Sequence, residues 1–219
     1  MSTRCPEPTL PLPALEPDHT LEWTGPVVRI YFSRGAHPMT WSQFRYYGPV
    51  SKMRFDHQTG RTKAHPTRGI SYAAIPWNPD PDHRAVDPLD VVVLESFREG
   101  VLDRATGAPR LSVWAPTRAL NLLKLSDDKW LGQARGNAAL TSGARGVAHL
   151  WSRAIYEAYP DIDGLVWSAS VLPGGRAVAL YERAMTALPT APSSDRPLTE
   201  PFLQPALARI ARAYRLTLL

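Results

Sequence analysis

The stretch LTSGARGVAHLWSRAIYEAYPDIDGLVWSAS, residues 140–170, carries two different hydrophobic patterns on either side of one proline. Over residues 143–159 the apolar side chains recur at three- and four-residue steps, which predicts a helix with Trp151 on its buried face. Pro160 ends this pattern. Residues 163–170 are then rich in the residues that strands prefer, so the stretch predicts a helix followed closely by a strand.

Ser142 stands at the beginning of this predicted helix and admits two interpretations. It, or Thr141, could simply cap the helix by accepting a bond from a backbone amide. The N-terminus of a helix also attracts anions, because its free amides and its dipole point outward. The hydroxyl could therefore belong to an anion site, and the sequence leaves both interpretations open.

On both sides of residues 140–170, short apolar segments favour strands. The predicted strands cover residues 27–32, 69–75, 118–125 and 176–183, a helix covers 201–214, and an edge strand lies within 215–219. Residues 89–97 are apolar enough for a buried strand but fit a helix equally well. Residues 77–88 and 187–198 are proline-rich and predict loops. Irregular alternation of the two element types predicts one α+β domain with a mixed sheet.

The composition is that of a globular protein. Residues 1–20 predict a proline-rich arm in front of a domain spanning 21–219. The chain has no apolar run of about eighteen residues, which predicts no membrane span. Cys5 is the single cysteine, which excludes an intrachain disulfide. These features predict a cytoplasmic protein.

Common chemical motifs are absent from the sequence. It contains neither the glycine-rich dinucleotide fingerprint nor the phosphate-loop motif. The nucleophile elbow and the zinc-protease motif are also missing. The six histidines have no spacing typical of zinc ligands, so we expect no metal and no bound cofactor. Lysine plus arginine is 25 against 20 acidic residues, without a run of like charges that would indicate a basic nucleic-acid tail.

What remains is a set of polar residues inside apolar segments: Arg29, Tyr31, Arg54, Tyr72 and Glu95. Arg54 is either an arginine at a strand end that reaches water or a hook for an anion. Glu95 follows four aliphatic residues and is expected to be partly desolvated, which is costly unless the carboxylate is paired or functional. Alternatively, it ends an element and points to water or pairs with Arg98.

In order and spacing, several segments together resemble the RES-domain family, which is named for an arginine, a glutamate and a serine. The resemblance covers roughly residues 25–185. It rests on VVRIYF, MRFD, GISYAAI, VVLESF and LNLLKLSD, on residues 140–170, and on AVALYERA. Two features depart from the family pattern, namely the insertion WNPDPDHRAVDP at 77–88 and the N-terminal arm.

The resemblance implies a fold similar to that of ADP-ribosyltransferases. It implies an enzyme that splits the nicotinamide–ribose bond of NAD, with phosphate or water as acceptor. Glu95 then corresponds to the catalytic carboxylate, assisted by Arg54 and by Ser142 on the phosphate side. Arg29 and Arg54 correspond to NAD-binding arginines.

Tyr31 and Tyr72 correspond to positioning aromatics, and Trp41 is a further candidate for the nicotinamide slot. NAD is a substrate in this scheme, and no cofactor or metal is required.

The resemblance also implies partners. Many RES proteins are toxins of bacterial toxin–antitoxin pairs, so an antitoxin with a helix-turn-helix domain is expected, and a homo-oligomer is compatible with the sequence. Three alternatives remain open. One is a protein ADP-ribosyltransferase that uses the same site, and another is a basic module without activity that binds nucleic acid or protein. The third is a RES-like scaffold that has lost its activity, as in an immunity or regulatory protein. Cleavage of NAD predicts that Arg29, Arg54 and Glu95 converge in one cleft, whereas a binding module predicts arginines on an exposed face.

Overall fold

A computed structural model describes residues 4–78, 85–126 and 129–219. The described residues contain twelve strands: Thr20–Trp23 (β1), Val27–Phe32 (β2), Tyr47–Gly48 (β3), Lys63–Ala64 (β4), Ile70–Ile75 (β5), Val101–Leu102 (β6), Pro109–Trp114 (β7), Leu120–Lys124 (β8), Gly164–Ser168 (β9), Arg176–Tyr181 (β10), Ser194–Pro197 (β11) and Thr217–Leu218 (β12). Eight of them form one mixed sheet in the order β1-β8-β9-β10-β5-β2-β7-β11. Within the large sheet only β8 and β9 are parallel. The expected mixed α+β domain is confirmed.

In the described ranges, five α-helices accompany the sheet. They are Pro88–Ser96 (α1), Lys129–Gln133 (α2), Ala139–Ser142 (α3), Arg145–Ala158 (α4) and Gln204–Tyr214 (α5), with short 3₁₀ helices at Pro17–His19, Glu182–Ala187 and Pro201–Leu203. Residues 89–97, for which the sequence allowed either a strand or a helix, belong to helix α1, with Phe97 as its C-cap. Its N-cap Asp87 accepts a bond from the amide of Leu89 at 2.9 Å, and Pro88 occupies the first turn, where proline is favoured.

Helix α4 confirms the predicted helix but begins later than expected. Its N-cap is Ala144, which makes no side-chain capping bond, so the expectation that Thr141 or Ser142 caps this helix is wrong. The reason is local. Both residues are used by the short helix α3, where the Ser142 hydroxyl donates to the carbonyl of Ala138 at 3.3 Å.

Two further elements differ from the expectation. The predicted loop 187–198 contains β11, which pairs with β7 as the edge of the large sheet. Strand β7 itself lies in a region where no element was predicted. The predicted loop at 77–88 includes residues 79–84, which lie outside the described residues. The predicted terminal helix and edge strand are confirmed, since β12 pairs in parallel with β6.

The core occupies both faces of the sheet. Neighbouring residues on β2 and β5 alternate between two buried clusters, so that Val28 and Ala74 lie in one while Val27 and Ala73 lie in the other. Trp151 on α4 is fully buried, as predicted. Within the described residues, no helix is long and apolar enough to cross a membrane.

The described part of the N-terminal arm, residues 4–20, lies against the domain. Cys5 is buried within the main cluster. The indole Nε1 of Trp151 donates to the carbonyl of Pro6 at 2.8 Å, and the Tyr159 hydroxyl donates to that of Pro13. The segment is therefore held to the domain by hydrogen bonds as well as by apolar contact.

Candidate active site

The large sheet parts between β2 and β5, and a cleft opens there. The two strands share one pair in register, Val28 with Ala74, and beyond it residues 29–32 and 70–73 no longer pair with each other. Both of these segments line a cleft of about 1470 Å³. The end of α1 and the irregular segment 43–54 provide further walls. The cleft is thus a direct product of the sheet topology.

Arg29 lies on β2 and is only 7% exposed. Its Nη1 donates to the carbonyls of Trp41 at 2.8 Å and Gln43 at 2.9 Å. Burial lowers the pKa of this guanidinium to about 10. In the part of the chain that the structure describes, its Nε and Nη2 make no hydrogen bond, so one edge of the guanidinium is left for another partner.

Arg54 is held in the same way and is 8% exposed. Its Nη1 donates to the carbonyl of Gly143 at 2.8 Å and, more weakly, to that of Leu140 at 3.5 Å. Burial lowers the pKa of Arg54, and the neighbouring charges of Arg145 and Arg98 lower it further. Its Nε and Nη2 also bond to none of the described residues.

These two buried cations share an unusual property. Neither Arg29 nor Arg54 forms an ion pair with a carboxylate among residues 4–78, 85–126 and 129–219. A buried charge without a paired carboxylate is costly, because its hydration is lost and carbonyl bonds replace it only in part. The free edge of an arginine presents Nε and Nη2 as a fork that fits phosphate and carboxylate oxygens. Two such forks in one cleft make it suitable for an anion.

Glu95 also lines this cleft, in the last turn of α1. Its side chain is 23% exposed, so it is partly desolvated as expected, and Arg98 donates to its Oε2. The other oxygen, Oε1, is buried and accepts no bond from any described residue. Glu99 lies beyond the end of the helix, where its side chain is 85% exposed and meets Lys52 at 3.0 Å. The two carboxylates therefore have different surroundings.

Tyr31 and Tyr72 line the cleft, and both hydroxyls are occupied. The Tyr31 hydroxyl donates to Asp195 at 2.8 Å and accepts from Nε of Arg110 at 3.0 Å. Burial is the main cause of its raised pKa, with Asp195 adding to the shift. Each tyrosine ring is thus fixed at its hydroxyl.

The hydroxyl of Tyr72 donates to Asp56 at 2.8 Å and accepts from the amide of Phe55 at 3.1 Å. Asp56 is fully buried and also accepts from Arg45 and from the amide of Val50, both at 2.6 Å. Burial raises the pKa of Tyr72 well above its usual value, so the hydroxyl stays protonated. This network anchors the residues next to Arg54.

Two sequence candidates do not line the cleft. Ser142 is exposed at the end of α3, one residue before the carbonyl that Arg54 contacts. The ring of Trp41 packs against Trp114, with the ring centres 6.4 Å apart, while its carbonyl supports Arg29. Neither residue contributes to the lining of the cleft, but each lies next to a backbone carbonyl, or carries one, that holds a buried arginine.

The sequence did not identify three residues as part of the site: Arg98, Asp56 and Asp195. Arg98 was named only as a possible partner of Glu95, and that pairing is present in the structure. Asp56 directly follows the MRF segment, and a charged residue in an apolar segment is the signal that could have identified it. Asp195 lies on a short polar strand that contains no such signal. Among the described residues, only Glu16, Asp18 and His19 come together as a metal ligand set would, and none of them lines the cleft.

No protein-family model matches the chain, and no curated protein matches it significantly. Among solved structures, it is similar to a chain in the crystal structure of the M. tuberculosis MbcT–MbcA toxin–antitoxin complex, with a TM-score of 0.53 and 16% sequence identity. The alignment covers 89% of this chain and 92% of that chain. At this identity the similarity extends to the fold, and over nearly its whole length the chain shares the fold of a component of a toxin–antitoxin complex.

Proposed function

We propose that the protein is an enzyme that cleaves the nicotinamide–ribose bond of NAD and serves as the toxin of a bacterial toxin–antitoxin pair. The observation that carries the proposal is the pair of buried arginines with free edges, Arg29 and Arg54, in the same cleft as Glu95. NAD offers a pyrophosphate, which matches two guanidinium forks. The fold similarity to a chain of a toxin–antitoxin complex supports the biological role.

The proposed chemistry assigns each of these residues a task. The bond between ribose C1′ and the nicotinamide nitrogen breaks, its electron pair leaves with nicotinamide as a neutral molecule, and positive charge builds up on the sugar. The carboxylate of Glu95 stabilises this charge, as carboxylates do for oxocarbenium-like transition states. Arg29 and Arg54 hold the pyrophosphate, and Tyr31 and Tyr72 offer apolar ring surface beside it.

The reaction ends when an acceptor attacks C1′. Water gives ADP-ribose and a proton, and phosphate gives ADP-ribose that carries the phosphate on this C1′ carbon. Because nicotinamide leaves neutral, the reaction needs no strong general acid.

A second candidate, transfer of ADP-ribose to a protein side chain, is favoured by the size and rim of the cleft. Its 1470 Å³ exceed the roughly 300–1,000 Å³ of common small-molecule sites. Exposed apolar residues stand among its lining residues: Phe32, Tyr47, Met53 and Val101. A protein acceptor could therefore approach the sugar. The alternative of a nucleic-acid-binding module is less well supported, because Arg29 and Arg54 are buried rather than displayed on a face.

The test is to incubate purified protein with NAD, with and without phosphate, and to identify the products by chromatography and mass spectrometry. The expected result is free nicotinamide together with ADP-ribose or its phosphate adduct, while Glu95→Gln releases nicotinamide about 10² times more slowly. ADP-ribose attached to protein would favour the second candidate. Intact NAD after long incubation with folded wild-type protein would contradict both.

The toxin role needs a test in cells. Expression of the wild type in a bacterial host is expected to lower its NAD and to stop growth, and Glu95→Gln at the same protein level is the control. If a cognate antitoxin exists, co-expression of a helix-turn-helix partner is expected to restore growth. Normal growth with abundant, enzymatically active protein would contradict the toxin role.

A further inference from the structure

The short segment after α1 directs Arg98 back onto Glu95. The helix ends at Ser96, and the amide of Phe97 still donates to the carbonyl of Val93 at 2.9 Å. Gly100 then adopts a φ of +81°, a conformation that favours glycine, and its amide donates to the carbonyl of Phe97. Arg98 therefore lies within a closed turn instead of in a loose loop.

The same turn is supported from the other end of the chain. The amide of Thr217 donates to the carbonyl of Gly100 at 2.8 Å, and that of Leu219 to the carbonyl of Leu102 at 3.0 Å. Phe97 and Leu102, on either side of the turn, are buried. A guanidinium on so well-supported a backbone can hold a carboxylate in one place.

The carboxylate itself shows what this contact does. Arg98 occupies Oε2 of Glu95, and Oε1 is buried with no bond from any residue in the described ranges. Arg98 also lies close enough to Arg54 for their charges to repel, yet it makes its bond with Glu95. An ordinary surface ion pair would contribute little. Here the partners are 33% and 23% exposed and both line the cleft.

We propose that Arg98 is a positioning residue, which fixes Oε2 of Glu95 and leaves Oε1 to accept a hydrogen bond from a ribose hydroxyl of the dinucleotide. Because Oε1 is buried, the proposal requires a rotation of the carboxylate that brings Oε1 to the hydroxyl while Oε2 keeps its bond to Arg98. This inference rests on the proposed function. It differs from a phosphate-binding role for Arg98, because the arginine then acts through Glu95 and not on the substrate.

The experiment is a double-mutant cycle with Arg98→Gln, Glu95→Gln and the combination, measured as kcat and KM for NAD. Loss of positioning is expected to lower kcat by roughly tenfold to a hundredfold, with KM within about threefold. In the Glu95→Gln background, Arg98→Gln is expected to have no further effect, because its role passes through that carboxylate. Arg98→Lys, which keeps the charge, is expected to recover part of the lost kcat.

Arg212→Gln, at an exposed position on α5, removes one positive charge elsewhere and is expected to leave both constants unchanged. A rise in KM at constant kcat in Arg98→Gln would make Arg98 a substrate-binding residue and overturn the inference. So would equal losses in both backgrounds, or an unaffected kcat. These outcomes leave the proposed function intact, whereas a folded wild type that does not consume NAD overturns the proposed function and this inference together.

Discussion

The contact between helix α4 and the N-terminal segment differs from the walls of the cleft in how its polar atoms are bonded. At that contact, the indole of Trp130 donates to the Tyr159 hydroxyl at 3.1 Å, and Trp151 and Tyr159 donate to carbonyls of the N-terminal segment. In the cleft, Arg29 and Arg54 each keep one edge, and Glu95 keeps one oxygen, without a hydrogen bond to any described residue. Buried polar groups normally have partners. This difference supports the proposal that the cleft receives a ligand.

Arginines elsewhere in the chain sharpen this contrast. Arg118 forms two bonds of 2.7 Å with Asp163, and Arg209 bonds Asp90 at 2.6 and 3.0 Å. These carboxylates raise the pKa of each arginine. Arg29, by contrast, has its pKa lowered by burial. At Arg118 and Arg209 the fold therefore does supply a counter-ion.

The largest expected effect is on stability and concerns Trp151. Trp151→Ala removes a fully buried side chain and its bond to Pro6, and we expect it to lower the free energy of unfolding by about 3–5 kcal/mol. Phe202→Ala, at a 62% exposed position, is the control and should change it by less than about 0.5 kcal/mol. Denaturant unfolding measures both. A stable Trp151→Ala protein that no longer turns over NAD would mean that this region also serves the ligand.

The next effect is on turnover and compares two carboxylates. Glu95→Gln keeps the shape and removes the charge, so we expect single-turnover NAD cleavage to fall by about 10² or more, the scale for losing one preorganised electrostatic group. Binding of NAD should stay within a few-fold. Glu99→Gln should change turnover less than about threefold, because this carboxylate is solvated. If Glu99→Gln is the inactive variant, the assignment of Glu95 is wrong.

A somewhat smaller effect is expected on affinity. Arg54→Ala removes a charged hydrogen bond worth roughly 1.5–3 kcal/mol, so we expect NAD or ADP-ribose to bind about tenfold to a hundredfold more weakly. Arg54→Lys should restore only part of this, because an ammonium lacks the fork. Calorimetric titration gives the affinities, and thermal unfolding controls for the lost bond to Gly143. Normal affinity with a lower unfolding temperature would make Arg54 a structural residue.

The smallest expected effect is the pH dependence of stabilisation by an anion. At neutral pH protonated Arg29 costs folding free energy, because its pKa in the folded state, about 10, lies below the ordinary 12.5. A bound pyrophosphate group offsets that cost. We therefore expect ADP to raise the unfolding temperature, by about 2–4 °C for each kcal/mol of binding free energy.

The ADP-induced shift should decline as the pH rises through about 10, where Arg29 loses its proton. In Arg29→Gln, the shift at neutral pH should be smaller, and this pH dependence should be absent. An ADP-induced shift that is the same in both proteins at every pH would separate Arg29 from the anion site.

Much of the fold follows from local patterns, and the exceptions have physical causes. Strands β2 and β5 carry β-branched and aromatic residues and were predicted. Helix α1 was ambiguous because Val91–Leu94 are all buried, which erases the helical period. The dipeptide Asp87–Pro88 is the signal that could have decided it, since aspartate caps helices and proline favours their first turn. Strand β11 exists because it pairs with β7, and its sequence, SDRP, has no strand propensity.

The candidate site was predictable only in part. Charged residues in apolar segments pointed to Arg29, Arg54 and Glu95, and all three line the cleft. The sequence does not show which edge of a guanidinium stays unbonded, because this depends on backbone carbonyls that are distant along the chain. Ser142 failed as a cap because a single short turn, α3, shifts the start of the next helix by two residues.

The pairing of β12 with β6 gives an experimental handle on the cleft. The amides of Thr217 and Leu219 are bonded to the carbonyls of Gly100 and Leu102, next to the turn that carries Arg98. Their hydrogen–deuterium exchange is expected to be slow only while this turn is in place. A probe at the last three residues would thus report, without any substrate, whether the turn that carries Arg98 is formed.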